Sequence, residues 1–225
     1  MNLFWLHLKR RLLKNRDFES PFAEFLKSSF PAAATAFQDT EFVSLDIETT
    51  SLDAATADML SIGWVIVRDG RVYLDTAESY IVRSRGDVGS SASIHGLTDT
   101  IVESGHDWSA VLSKVITVLT GRALLVHHAG LDKALLDRMC RQRFGAPLLM
   151  PVVDTLALEH RRRQRRHHVD KQRSLRLADL RDQYRLPRYG AHDCLVDAIA
   201  TAELLIAMVA HNDGADATQL RDICA

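Results

Sequence analysis

A chain of 225 residues that is 47% hydrophobic and 25% charged has enough apolar side chains for a substantial core, and fits one domain of moderate size plus an appendage. The formal net charge of -1, from 28 Lys and Arg against 29 Asp and Glu, excludes a uniformly basic surface that coats nucleic acid, although the charges are segregated along the chain. Three cysteines, Cys140, Cys194 and Cys224, cannot all pair and show no metal-ligand spacing, which argues against a disulfide framework and for a reducing cytoplasm.

Residues 1–38 read as a helical extension. Phe4 or Trp5, Leu8 and Leu12 recur at helical spacing, Phe22, Phe25, Leu26 and Phe30 form a second cluster, and Pro31 marks a boundary. Two readings stand for it: an arm that docks a partner or membrane surface, or an extension packed on its own domain. Apolar Leu3-Phe4-Trp5-Leu6 precedes Lys9-Arg10-Arg11, the reverse of a secretory signal, and no apolar stretch is long enough to span a bilayer. The expected location is cytoplasmic, with no membrane partner.

The main domain is expected over residues 39–213, with a tail at 214–225. Phe42 to Glu48 predicts a first strand; Leu60 to Val67 and Val72 to Leu74 predict two more around the tight turn Asp69-Gly70. A helix follows over 107–120, with Trp108, Val111, Leu112, Val115 and Leu119 on one face and Gly121 at its stop. Ala123 to Val126 is a buried central strand, Asp132 to Arg143 a helix, Val152 to Asp154 a short strand, and two further helices run over 175–184 and 193–209. This order predicts an α/β fold, a mixed sheet flanked by helices.

The chemistry concentrates at the end of the first strand. Because strand side chains alternate, Asp46 and Glu48 point to one face, with Leu45 and Ile47 on the other. Two adjacent carboxylates repel, and a hard divalent cation is their natural compensation. Asp132 stands just beyond the central strand, where α/β sheets commonly place ligands, and Asp197 lies in the opening turn of the last long helix, behind His192. Four carboxylates from three segments could converge. The alternatives are a helix cap at Asp132, an arginine partner for Asp197 and a surface position for His192; Asp193 reads as a cap.

Asp46-Ile47-Glu48-Thr49-Thr50, Ile94-His95-Gly96-Leu97-Thr98, His127 to Asp132, Asp154-Thr155-Leu156 and His192 to Asp197 resemble, in order, the motifs of the DEDD exonuclease superfamily. The histidine five residues before the last aspartate resembles the DEDDh branch, which includes the proofreading epsilon subunits of bacterial DNA polymerase III. The resemblance implies a ribonuclease-H-like fold with a mixed five-stranded sheet. It implies two Mg²⁺ or Mn²⁺ ions on Asp46, Glu48, Asp132 and Asp197, His192 as general base, and release of nucleoside 5′-monophosphates from single-stranded 3′ ends. By the same resemblance Thr49, Thr50, Leu52 and His95 contact the terminal nucleotide; turn chemistry and loop packing are the plainer account of these four. His128, Leu131 and Ser51 stand where relatives often carry asparagine, phenylalanine and glycine, and none of these changes removes a ligand.

The run Arg161-Arg162-Arg163-Gln164-Arg165-Arg166-His167-His168, continued by Lys171, Arg173 and Arg176, reads either as a track for a phosphate backbone or as a solvated charged surface. The expected activity is a 3′ to 5′ exonuclease favouring DNA. Its rivals are an exoribonuclease or oligoribonuclease-like enzyme and a catalytically silent nucleic-acid-binding or docking domain. A polymerase or other protein partner, or a homodimer, would engage the N-terminal extension.

Overall fold

The computed structural model describes residues 3–83, 104–165, 174–190, 192–212 and 217–224. Strand β1 (Phe42–Thr49) pairs antiparallel with β2 (Met59–Arg68), which pairs antiparallel with β3 (Arg71–Ile81). On its other side β1 pairs in parallel with β4 (Ala123–Val126), and β4 in parallel with β5 (Val152–Asp154). The five-stranded order β3-β2-β1-β4-β5 is the mixed sheet that the sequence predicts.

Asp69 and Gly70 adopt φ of 51° and 64°, the left-handed pair that a tight antiparallel turn requires. Strand β3 runs seven residues beyond the apolar segment Val72 to Leu74. Its later residues, Asp75-Thr76-Ala77-Glu78-Ser79, lack apolar alternation because this is an edge strand held by backbone pairing, and its exposed charges discourage pairing with another chain.

The described helices are α1 (Leu3–Leu13), α2 (Phe22–Lys27), α3 (Trp108–Leu119), α4 (Asp132–Phe144), α5 (Thr155–Arg165), α6 (Leu177–Gln183), α7 (Cys194–Asn212) and α8 (Leu220–Ile223). The side chain of Asp107 caps α3 by accepting from the backbone of Ser109 and Ala110, and Gly145, at φ 69°, closes α4. Val43, Leu45 and Ile47 of β1 pack with the apolar faces of α1 to α4. Phe42, Val65, Val67, Leu125 and Val153 form the second core with α5 to α8. Ser44, Asp46 and Glu48 share the face of Phe42, so the polar row of β1 runs beneath α7.

The N-terminal extension is seated by one buried cation. Arg10, 3% exposed, donates to the carbonyls of Phe25 (a 2.5 Å contact), Leu26 (3.0 Å), Ser28 (3.0 Å) and Leu149 (2.9 Å), with its guanidinium 3.7 Å from the Phe30 ring centroid. Burial lowers its pKa to about 10, still far above neutrality. Phe22 stacks on Phe144 of α4 at 4.7 Å. The packed-extension reading therefore holds for the inner face of α1, while Trp5, Leu8 and Leu12 remain exposed on the outer one.

Residues 217–224 do not behave as a loose tail. Leu220 and Ile223 are buried, Gln219 bridges to Ala36, and Cys224 bridges to Val153. One sequence expectation needs correcting: Cys194–His211, with a mean hydropathy of 1.7 over 18 residues, is long and apolar enough to cross a membrane by length and composition. It lies across β1 and β2, with Ala198, Ala202, Leu205 and Met208 buried, so its apolarity serves the second core.

Replacing Arg10 by alanine strips partners from several buried carbonyls. Arg10→Ala should lower unfolding free energy by about 2–4 kcal/mol, read as a lower urea midpoint with an unchanged m-value.

Candidate active site

Three elements deliver the acidic groups. Asp46 and Glu48 project from the end of β1, and Asp197 descends from the first turn of α7. Carboxylate oxygens of these three lie within 4.8 Å of one another. Asp132, 4% exposed at the start of α4, adjoins this cluster from the strand end, and among neighbouring charges its effect on Asp46 is the largest.

The electrostatics are those of crowded anions. Burial, then the charges of Asp132, Glu48, Asp197 and Asp193, holds the Asp46 pKa well above the usual carboxylate range. Burial first, and then Asp197 and Asp193, pushes Glu48 up to about 7. Burial carries Asp132 to about 8, against backbone hydrogen bonds that favour its ionised form. Asp197 is raised too, chiefly by burial. An all-oxygen donor set whose members resist ionisation together fits a hard divalent ion such as Mg²⁺ or Mn²⁺, which would remove the repulsion and supply the missing ligation.

Gly63 sets how closely α7 approaches. It sits opposite Asp46 in the β1–β2 ladder, and a Cβ there would lie 2.5 Å from the Leu195 nitrogen and 2.6 Å from its Cα. The start of the helix therefore rests on bare backbone. Ser44, two residues before Asp46, donates 2.6 Å to the carbonyl of Ala198 and fixes the helix along the same strand. Sequence reasoning missed both residues, although an isolated glycine within an apolar strand is the usual signal of close backbone approach.

Around the cluster each polar residue has a distinct duty. Asp193 accepts from the backbone of Leu195 and Val196, at 3.0 Å each, and is the cap of α7. His192, exposed and at φ 70°, donates its backbone N–H to Asp197 Oδ2 at 3.0 Å, and its charge acts to lower the Asp197 pKa. Asp154 accepts from Ala129 (2.9 Å), Leu156 (3.0 Å) and Ala157 (3.2 Å), tying the approach to Asp132 to the start of α5. His127 lies between Thr155 Oγ1 (2.7 Å) and the carbonyl of Leu175 (3.0 Å), and burial lowers its pKa to about 4. Because that carbonyl only accepts, Nε2 carries the proton and Nδ1 receives the Thr155 hydroxyl.

The expected nucleotide-contacting residues divide. Thr49 Oγ1 donates to the carbonyl of Ser51 at 2.7 Å, and Thr50 Oγ1 accepts from the Asp58 backbone at 2.9 Å, so both hydroxyls shape the β1–β2 turn. Leu52, 86% exposed, stands clear of that turn. His95 and its motif lie outside the described residues, as do His167, His168, Lys171 and Arg173 of the basic run. Three of its described arginines reach inward, Arg161 to the carbonyl of Ile223 (3.3 Å), Arg162 to that of Met208 (3.1 Å) and Arg163 to Glu159 (3.1 Å), while Arg165 and Arg176 are exposed.

The chain is also similar to known exonucleases and polymerases. The RNase_T family model, described as an exonuclease, matches residues 43–205. A PolC-type DNA polymerase III from Thermotoga petrophila is 28% identical over 189 residues, which are 84% of this chain but only 13% of that protein. Among solved structures, Exonuclease X in complex with 5′-overhanging duplex DNA is 22% identical at a TM-score of 0.60, covering 81% of this chain and 98% of that one. E. coli Exonuclease I in complex with a dT13 oligonucleotide carrying a 5cy label is 16% identical at 0.65, covering 78% of this chain and 42% of that one.

Two outcomes follow from the geometry. Folded-state pKa values of Glu48 and Asp132 above their ordinary 4.5 and 3.8 mean that the folded chain retains protons which the unfolded chain releases. Metal-free protein should therefore lose thermal stability as pH rises from about 4 to about 8. Asp46→Asn should flatten that decline and raise the metal-free melting temperature. Gly63→Ala, by lifting the start of α7, should weaken Mn²⁺ binding about tenfold or more in calorimetric titration, against an unchanged affinity if the helix position is immaterial.

Proposed function

The chain belongs to the RNase_T exonuclease family, and from that premise we propose that it is a metal-dependent 3′ to 5′ exonuclease that shortens single-stranded ends, DNA in preference to RNA. The observation that carries this reading is the meeting of Asp46, Glu48 and Asp197 oxygens within 4.8 Å, with Asp132 beside them. Asp46, Glu48, Asp132 and Asp197 would hold two Mg²⁺ or Mn²⁺ ions. When bound, such ions supply charge neutralisation at the scissile phosphate and lower the pKa of a coordinated water.

The chain's own residues do the remainder. His192, tied to Asp197 by its backbone N–H, takes the proton of the attacking water at a ring nitrogen. Leu52, exposed beyond the turn formed by Thr49 and Thr50, wedges against the terminal base, and those threonines offer their backbone to its sugar and phosphate. Cleavage then leaves a nucleoside 5′-monophosphate and a strand one residue shorter. The DNA preference draws on the DNA present in the Exonuclease X and Exonuclease I structures, and a polymerase partner in the cytoplasm on the PolC-type relative.

Purified protein with Mn²⁺ should release 5′-mononucleotides from a 3′-labelled single-stranded DNA, faster than from the matching RNA, and chelation should stop it. Asp46→Ala should reduce turnover by at least about 10³-fold, because a residue that would hold the ions, and with it the charge stabilisation they would supply, is lost. Equal activity in that variant, or loss of nucleotides from the 5′ end, would overturn the reading.

A further inference from the structure

We infer that Arg181 is a positioning residue for His192: with Glu203 and Tyr189 it clamps the chain between α6 and α7, and so fixes where the histidine meets the acidic cluster. The inference rests on the reading of His192 as general base. Arg181 belongs to α6 and is 2% exposed. Its Nη1 donates to the carbonyl of Ala200 at 2.7 Å, and its Nη2 to Glu203 Oε2 and to the carbonyl of Pro187, both at 2.8 Å. The guanidinium also lies 4.4 Å from the Tyr189 ring centroid, and the Tyr189 hydroxyl donates to the other Glu203 oxygen at 2.9 Å.

One side chain thus joins three pieces: α6, the connecting segment at 187 and 189, and α7 one turn beyond Asp197. The segment leads on to His192, whose left-handed φ of 70° is uncommon for a residue with a Cβ and needs restraint from both sides. Its bond to Asp197 restrains one side. The clamp at Pro187 and Tyr189 restrains the other. A lysine at 181 would keep the charge but has no planar fork to reach Ala200, Pro187 and Glu203 together.

The test combines turnover with exchange. Arg181→Lys should lower kcat on single-stranded DNA about tenfold with KM within about twofold, and Tyr189→Phe, at a more exposed position, should lower it about threefold. In a His192→Ala background neither substitution should lower kcat further, because the positioned group is gone. Losses that simply multiply would overturn the inference, whichever variant is used. Amide hydrogen exchange supplies a readout free of catalysis: the His192 amide, bonded to Asp197, should exchange faster in both variants, while Leu204 to Met208 keep their protection. Unchanged exchange at His192 overturns the clamp. Absence of nuclease activity in the unaltered protein, with faster exchange in the variants, would instead refute His192 as base and leave the clamp as structure alone.

Discussion

Everything in this fold answers to the repulsion among carboxylates that the sheet and two helices force together. Asp46, Glu48 and Asp197 share a space less than 5 Å across, Asp132 adjoins it, and burial makes each of them harder to ionise. Such a cluster works against folding, and it persists because the elements that carry it are secured elsewhere. β1 is paired on both sides as far as Ser44, and β2 continues alongside it through Glu48, which holds Asp46 and Glu48 in register on one face. α7 is held on the strand by Ser44 and by the absence of a side chain at Gly63. Local strain is thus retained at the site and offset by two apolar cores.

The supporting polar residues show a consistent division of labour. Asp154, Asp193 and His127 are acidic or titratable groups close to the cluster, yet their hydrogen bonds are taken up by backbone and hydroxyl groups that set helix starts and loop paths. Asp193 and Asp197 differ by a single helical turn and have opposite fates: the first satisfies the exposed N–H groups of α7, the second turns inward to the other carboxylates. The arginines of the basic run are likewise partly structural, since Arg161, Arg162 and Arg163 satisfy carbonyl and carboxylate oxygens of the domain itself.

Much of this was legible in the residues because period and punctuation agree. The alternation through Phe42 to Glu48 placed both acids on one face, Asp69-Gly70 marked the hairpin, and the spacing of Val111, Leu112, Val115 and Leu119 gave α3. The outer half of β3 was not legible, for an exposed edge strand needs no apolar rhythm. The length and apolarity of α7 match a membrane span by composition, contrary to the expectation from the sequence, because the helix is apolar enough to pack on two strands at once. Long-range polar ties such as Arg10 to Leu149 and Arg181 to Glu203 leave no local pattern; only the folded chain brings their partners together. Asp46, Glu48 and Asp197, singled out in the sequence, do come together, and the close contact at Gly63 supplies a physical reason why they meet.

The seat of Arg10 also constrains the history of the chain. Helix α1 is synthesised before the sheet, yet one of the carbonyls it grasps is 139 residues further on, at Leu149. Residues 33–37 similarly await backbone bonds with 218–221. Early synthesis therefore brings only partial docking: Arg10 can reach the carbonyls of Phe25, Leu26 and Ser28 at once, but its seat is complete only when the second half of the domain supplies Leu149.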